Sequence, residues 1–368
     1  MKSKVYFIDM RTRYNLNIFQ KLDKLLNASP EFKGLINKKD LVAIKTHFGE
    51  QGNLSHIHPK YIQFMVNKIR EYQGHPFITD ASSVYAGTRS DAISHLNTAI
   101  SNGFAYATIG APLIIADGLK GNSEVKIPVD LTHFKEVAIA KDIYDADKMI
   151  CMSHFKGHEL TGFGGAIKNI GMGLAAKSGK LAIHSTTRPY ISKDCLACGL
   201  CIPHCSQGAI SIQDNKACIN YEKCIGCAQC IISCPNEKIR IRWDESTKNV
   251  QEKICEYAYG LLKVRKIETF YLNFIINITP VCDCYNYSDT PIIPDIGILA
   301  SNDIIAIDQA CVDLVNQAEG IKNTALKQNL SKGGDKFKGL FPQIDWDVQL
   351  AYGEKIGLGT RNYELQKG

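Results

Sequence analysis

No apolar run in this 368-residue chain approaches the roughly 18 residues needed to cross a bilayer. The best candidate, Phe270–Ile278, is strand-length and carries Asn273 and Asn277. The amino terminus, MKSKVYFIDMRTRYN, lacks the apolar core of a secretory signal. These two absences lead us to expect a soluble, cytoplasmic protein. Basic residues are not concentrated: the formal charge is +6, but Lys and Arg are scattered and form no arginine-rich tract or basic helix face. Neither nucleic acid nor a membrane is therefore an expected partner. There is no G-K-S/T phosphate loop and no G-x-G-x-x-G fingerprint with a ribose-binding acid. Gly/Ser linkers and low-complexity segments are missing too.

What is present first is an alternation. The runs VYFI (5–8), LVAI (41–44), PFIT (76–79), PLIIA (112–116), EVAIA (136–140) and KMICM (148–152) read as buried strands. Between them, Leu16 to Leu26, Tyr61 to Tyr72 and Ser90 to Phe104 read as helices. The pattern predicts an α/β fold: a mostly parallel sheet flanked by helices on both faces. It stops near Leu181 and resumes with a helix over Asn249–Lys263, strands at Phe270–Ile278 and Ile296–Leu299, and a helix capped by Ser301, Asn302 or Asp303. We expect a discontinuous α/β domain (residues 1–186 and 244–368) interrupted by a small α+β insert at 187–243.

Eight of the fourteen cysteines fall in two runs of the insert, C-L-A-C-G-L-C-I-P-H-C (195–205) and C-I-G-C-A-Q-C-I-I-S-C-P (224–235). Both have the spacing C-x2-C-x2-C-x3-C. In such runs three close cysteines hold three corners of one 4Fe–4S cubane, and the fourth ligates the other cluster. The expected sets are Cys195, Cys198, Cys201 and Cys234 for one cluster, and Cys224, Cys227, Cys230 and Cys205 for the other. Zinc knuckles are the alternative, but zinc uses separated CxxC pairs. Cys205 is followed by Ser206 rather than Pro. Gly199 and Gly226 allow backbone N–H groups near cluster sulfurs. Cys218, Cys151, Cys255 and Cys311 read as packed small hydrophobes. The insert resembles bacterial ferredoxins, which implies low-potential electron transfer with a protein donor or acceptor. Oxidants damage such clusters, so an anaerobic host is expected.

Open α/β sheets bind ligands beyond the carboxyl ends of their strands. Groups that follow the apolar runs include Asp9 and Arg11; Lys45, His47, Glu50 and Asn53; Asp80; Asp117; His154, Lys156 and His158; Cys282, Asp283 and Cys284; and Asn302 and Asp303. Parallel strands would gather them on one rim, with Asp80 and Asp117 as readily explained by caps or turns. The segment S-H-F-K-G-H-E-L-T-G-F-G-G-A-I-K-N (153–169) adds Gly162, Gly164 and Gly165 at a helix start and the cations Lys156, His158 and Lys168. It reads either as a carboxylate or phosphate site or as a structural glycine turn. In the C-D-C at 282–284, residues i and i+2 of an extended chain share a face. Both thiols then reach one metal, cofactor or substrate; the alternative is two core cysteines. Lys45, His47, Lys156, His158 and Lys168 are the candidate catalytic cations. Gly162, Gly164, Gly165, Cys282 and Cys284 are the candidate cofactor contacts, with an additional metal or small-molecule cofactor expected near the thiols.

The stretches KTHFGEQGN, DADKMICMSHFKGHELTGFGGAIKNIGMG, the double Cys motif, ITPVCDC and PDIGILASNDIIAIDQACVDLVNQAEG together resemble an uncharacterised family of iron–sulfur centre proteins, domain of unknown function 362. That resemblance implies an α/β domain with an inserted ferredoxin module and no defined chemistry. H-E-L-T-G-F-G-G-A-I-K is also similar to the pocket segment of lactate racemase, which binds a nickel-pincer cofactor. This match is too short to assign racemisation. Three functions stay open: an oxidoreductase acting on a small anionic substrate, a non-catalytic electron carrier, and a non-redox enzyme with structural or sensory clusters. Oligomeric state is not legible.

Overall fold

The apolar runs and amphipathic stretches form strands and helices in a computed structural model that describes residues 2–85, 87–184, 189–205, 207–224, 229–240 and 245–368. In chain order the strands are β1 (Ser3–Asp9), β2 (Leu41–Lys45), β3 (His75–Asp80), β4 (Leu113–Ile115), β5 (Glu124–Pro128), β6 (Glu136–Ala140), β7 (Lys148–His154), β8 (Lys156–His158) and β9 (Gly162–Gly164). They continue with β10 (Tyr190–Ile191), β11 (Ile210–Gln213), β12 (Lys216–Ile219), β13 (Ile239–Arg240), β14 (Glu268–Ile275), β15 (Gly297–Ser301) and β16 (Tyr363–Lys367).

Eight of them form one sheet in the order β16-β1-β15-β14-β7-β2-β3-β4, so strands from both sides of the cysteine-rich segment share it. β14, β7, β2, β3 and β4 run parallel, as expected. The pleat sends alternate residues to opposite faces. Val42, Ile44, Ile150, Met152, Phe270, Leu272 and Phe274 pack under the helices Ile18–Ala28, Pro59–Glu71 and Ala92–Ser101. Ala43, Met149, Cys151 and Tyr271 pack under Ala166–Gly171, Thr247–Tyr259 and Ile304–Asn316. Each fully buried Ile, Leu or Phe in these layers contributes about 1.5–3 kcal/mol.

Local chemistry sets the helix ends. Asn17 and Gln20 form a reciprocal capping box at 3.0 and 2.9 Å. Asp303, among the three expected caps, accepts the Ile305 and Ala306 amides. Cys151, Cys255 and Cys311 are fully buried, as expected, whereas Cys218 is only partly so.

Two strand expectations need correction. EVAIA forms β6, which stands outside the main sheet and pairs antiparallel with β5. The loop between them is too short for a crossover, which leaves only antiparallel pairing. β15 is in the main sheet but antiparallel to both neighbours. No helix lies between β14 and β15 to carry the chain back, so the chain returns in the opposite sense.

In the cysteine-rich segment, β10 pairs with β13 and β11 with β12, both antiparallel. They enclose a small core of Cys201, Ile210, Ala217, Cys230 and Ile239. Cys227, Gly226 and Ser206 lie outside the described residues. Among the described residues no helix is long and apolar enough to cross a membrane.

Candidate functional site

Parallel β2, β3 and β7 end on one rim and deliver Lys45, Asp80 and His154 there. Lys45 is fully buried. Its Nζ lies 2.9 Å from Asp80 Oδ1 and donates to Asn169 Oδ1 at 2.6 Å. Asp80 also accepts the Ala81 amide at 2.9 Å. Burial alone would raise its carboxyl, but Lys45 and the His47 ring hold it well below the usual carboxylate range. Asp80 therefore does more than turn duty. Asp117 does not: it holds the loop after β3 through the Ser82 amide and hydroxyl, both at 2.9 Å.

The loop after β14 reaches the same rim and brings Cys282–Asp283–Cys284. Asp283 is fully buried and anchors the loop. It faces His154 Nδ1 at 2.9 Å, Lys156 Nζ at 3.2 Å and the Ser55 hydroxyl at 2.7 Å. Burial opposes its charge, yet His154 and Lys156 keep the carboxyl well below its ordinary range. Opposite it, β8 and β9 form a hairpin that carries Lys156 and His158. The hairpin touches the loop at Gly157, where a Cβ would stand 2.4 Å from the Pro280 carbonyl oxygen. Only glycine allows that approach.

The C-D-C segment is not extended as expected but a turn, closed by the Tyr285 amide on the Cys282 carbonyl at 3.1 Å. Asp283 points to the anchor and the two thiols point into the cavity. The Cys284 thiol donates to Cys282, and Lys168 Nζ lies 3.4 Å from Cys282 Sγ. The bond from Cys284 acts first, and with Lys168, His158 and Lys156 it outweighs burial and holds the Cys282 thiol well below its ordinary range. Cys284 is correspondingly raised and keeps the proton of the pair. Burial alone would discharge Lys168, but the two sulfurs hold its ammonium charged.

Two cavities meet here. The inner one, about 50 Å³, is lined by His47, Asp80, Tyr85, Arg89, Lys156, Gly165, Lys168, Lys180, Cys282 and Cys284, among others. The outer one, about 800 Å³, is lined by Glu50, Tyr85, His158, Glu159, Leu160, His184, Cys284 and Tyr285, among others. His47 Nδ1 accepts the Gly49 amide at 2.9 Å. Burial, with Arg89 alongside, pushes the His47 imidazole well below its usual range.

Tyr85, Arg89 and Lys180 are among the lining residues that escaped the sequence reading. The first two sit in the loop after β3, and Lys180 is on the helix Lys177–His184. The usable signal is ASSVYAGTRSD (81–91), a long polar loop between a strand end and a helix, where α/β sites concentrate. Burial lowers the Lys180 ammonium to about 8.

Other expected site residues sit elsewhere. The amides of Ala166 and Ile167, at the helix start read as an anion site, already donate to Asp308 at 2.8 and 2.9 Å. A Cβ on Gly165 would meet Asp308 Oδ1 at 2.4 Å. The anion at this glycine turn is thus the protein's own carboxylate. Gly162, at φ +75°, packs on Trp346, and Gly164 lies against Lys168 and Lys156. Asp303 binds the Ser3 hydroxyl at 2.7 Å, at the start of β1, so antiparallel β15 takes Asn302 and Asp303 to the opposite rim. Asp9 is exposed and paired with Lys21. Among the described residues no three His, Cys, Asp or Glu side chains surround one point as ligands of a single ion. Beside Cys282 stands an ammonium, which repels a cation.

In the cysteine-rich segment, Cys195, Cys198, Cys201 and Cys234 line one small cavity. Cys205 Sγ accepts the Ala209 amide and Cys234 Sγ the Lys238 amide, each at 3.2 Å. Ile231, next to Cys230, packs against Val84 and Leu181, beside Tyr85.

The sequence matches the family described as "Domain of unknown function (DUF362)" over residues 42–313, most of its length. The chain belongs to the DUF362 family. No curated protein matches it. Among solved structures, this DUF362 protein is similar to the lactate racemase apoprotein from Thermoanaerobacterium thermosaccharolyticum, at 13% identity and TM-score 0.42, over 74% of this chain and 50% of that one. It is also similar to a Thermotoga maritima protein, at 11% identity and TM-score 0.41, over 82% and 59%. The DUF362 chain thus spans between half and three fifths of these structures' lengths.

Proposed function

We propose that the protein is an oxidoreductase that carries two 4Fe–4S clusters in an inserted ferredoxin-like domain (187–243) and reduces or oxidises a small anionic substrate at the rim of the α/β domain (1–186 and 244–368). One observation carries this reading. The Cys282 thiol, beside the cations Lys156 and Lys168, lines a cavity whose Tyr85 wall lies beside the contact with the second cysteine run, at Ile231. A dedicated electron carrier has no need of such a cavity.

The thiols suit the clusters. The four that line one cavity are three from the first run and the last of the second, the crossed set that the spacing requires. Cys224, Cys227, Cys230 and Cys205 are the second set. Amide donors at Cys205 and Cys234 are the groups that tune a cluster's potential. When bound, the clusters supply one-electron chemistry, fed by an external protein donor or acceptor at the exposed Cys198 side. The chain's own groups do the rest. Lys156 and Lys168 hold the negative charge of Asp283 and Cys282, Arg89 faces the substrate's charge, and the Cys282 and Cys284 thiols line the cavity beside the reacting atom.

Anaerobically purified protein is expected to contain about eight iron and eight sulfide per chain, and to show paramagnetic signals of reduced clusters with dithionite. Colourless protein with zinc in place of iron and sulfide overturns the reading.

A further inference from the structure

Arg89 is 97% buried by its 3% exposure and lines the inner cavity. Its Nε donates to Glu50 Oε2 at 3.0 Å, and Glu50 is itself fixed by the Thr88 amide at 2.9 Å and the Thr88 hydroxyl. Nη2 meets no acceptor among the described residues. A buried donor left unpaired is costly, so a guanidinium held rigid with a spare donor beside a cavity marks a place for an acceptor.

The neighbouring cations differ. Lys156 is paired with Asp283 and Lys168 with Cys282. Among the described residues Lys180 has as hydrogen-bond partners only the Ala175 and Gly173 carbonyls, at 2.6 and 3.3 Å. The inner cavity therefore offers Arg89 and Lys180 to an incoming anion. At about 50 Å³ it holds roughly three to five non-hydrogen atoms, the size of an acid head and not of a whole metabolite. The outer cavity of about 800 Å³ adjoins it, sharing Tyr85 and Cys284, and has the size of an ordinary small-molecule pocket.

We propose that the two cavities bind one organic acid: Arg89 and Lys180 clasp its carboxylate in the inner cavity, its carbon body lies in the outer, and the Cys282/Cys284 pair stands at the junction. The planar fork of Arg89 suits a planar carboxylate better than a point charge would. This names the substrate class for the function proposed above and rests on that reading for the reaction, though not for the binding.

The test is calorimetric titration of anaerobic holoprotein with acetate, hexanoate and hexanol. Each buried methylene is worth roughly fourfold in affinity, so hexanoate should bind at least tenfold tighter than acetate, and hexanol should bind far more weakly than hexanoate. Arg89→Lys keeps the charge facing Glu50 but loses the fork; it should weaken both acids at least tenfold. Leu160→Trp, which fills the outer cavity, should abolish the advantage of hexanoate and leave acetate unchanged. Equal binding of acetate and hexanoate to wild type, which needs no variant, overturns the proposal. So does hexanol binding as tightly as hexanoate, or a folded Arg89→Lys protein that binds both acids like wild type. Iron and sulfide are measured on the same samples. Absence of clusters would remove the redox reading and leave acid binding standing; absence of binding in cluster-replete protein would remove this inference alone.

Discussion

The charge beside Cys282 makes its nucleophilicity a test of the site. Lys168 Nζ lies 3.4 Å from the sulfur, Cys282 is buried and Lys168 is half-buried. At an effective dielectric constant of 20, unit charges at that separation attract by about 5 kcal/mol. In Lys168→Met, side-chain relaxation and the remaining bond from Cys284 recover part of this. A net loss of about 2 kcal/mol still raises the titration midpoint by about 1.5 pH units, a roughly thirtyfold fall in the thiolate-to-thiol ratio at a given pH. The assay is iodoacetamide alkylation of anaerobic holoprotein across pH, read by mass spectrometry on the peptide containing Cys282, with Cys284→Ser to isolate its signal. The sign follows from the depressed titration. Wild-type Cys282 should stay reactive as pH falls below the ordinary thiol range, whereas Lys168→Met should lose reactivity over that window. Identical rates and pH profiles would refute the claim that Lys168 holds the thiolate.

Other outcomes follow from the same geometry. Cys234→Ala, in the second run, should remove the cluster held by Cys195, Cys198 and Cys201, leaving about four iron per chain by metal analysis. Gly165→Ala puts a Cβ 2.4 Å from Asp308 Oδ1; forcing the capping carboxylate away should cost about 2 kcal/mol or more, read as a lower midpoint of thermal unfolding. Burial pushes Asp308 up to about 6 despite its amide donors. The folded state therefore binds this proton more tightly than the unfolded chain, and the group's contribution to stability falls as pH rises from about 4 to about 6. By linkage that contribution totals about 3 kcal/mol. Urea titrations should show the slope in wild type and not in Asp308→Asn.

How much was legible follows from how local each signal is. The cysteine runs carry their ligand spacing within eleven residues. The core strands declare themselves by length and apolar content, and Asp303 by standing just before its helix. The sense of β15 depended on what the 276–296 segment fails to form, and apolar content says nothing of direction. Asp308 is less legible still. On its own helix it is one polar residue in AIDQACVDLVNQA, but it caps a helix 142 residues earlier in the chain. Arg89 sits in a loop without motif or period, and its role comes from Glu50, placed by a different strand end.

The glycine-turn correction changes what the site recognises. Had Ala166 and Ile167 presented free amides, the segment 153–169 would have built an anion cradle from backbone, indifferent to whether the anion was phosphate or carboxylate. With Asp308 seated there, the same segment contributes only side chains, Lys156 and Lys168, and each is already matched to a negative partner in Asp283 and Cys282. Recognition then passes to the opposite wall, where Arg89 stands fixed by Glu50. That arrangement separates two tasks that a backbone cradle would have merged. The glycine segment sets the charge state of the thiol pair, and the loop after β3 chooses the ligand. Substitutions at Lys168 should therefore alter thiol reactivity with acid affinity largely retained, and substitutions at Arg89 should do the reverse. A single variant that moves both properties in equal measure would show that the two walls act as one.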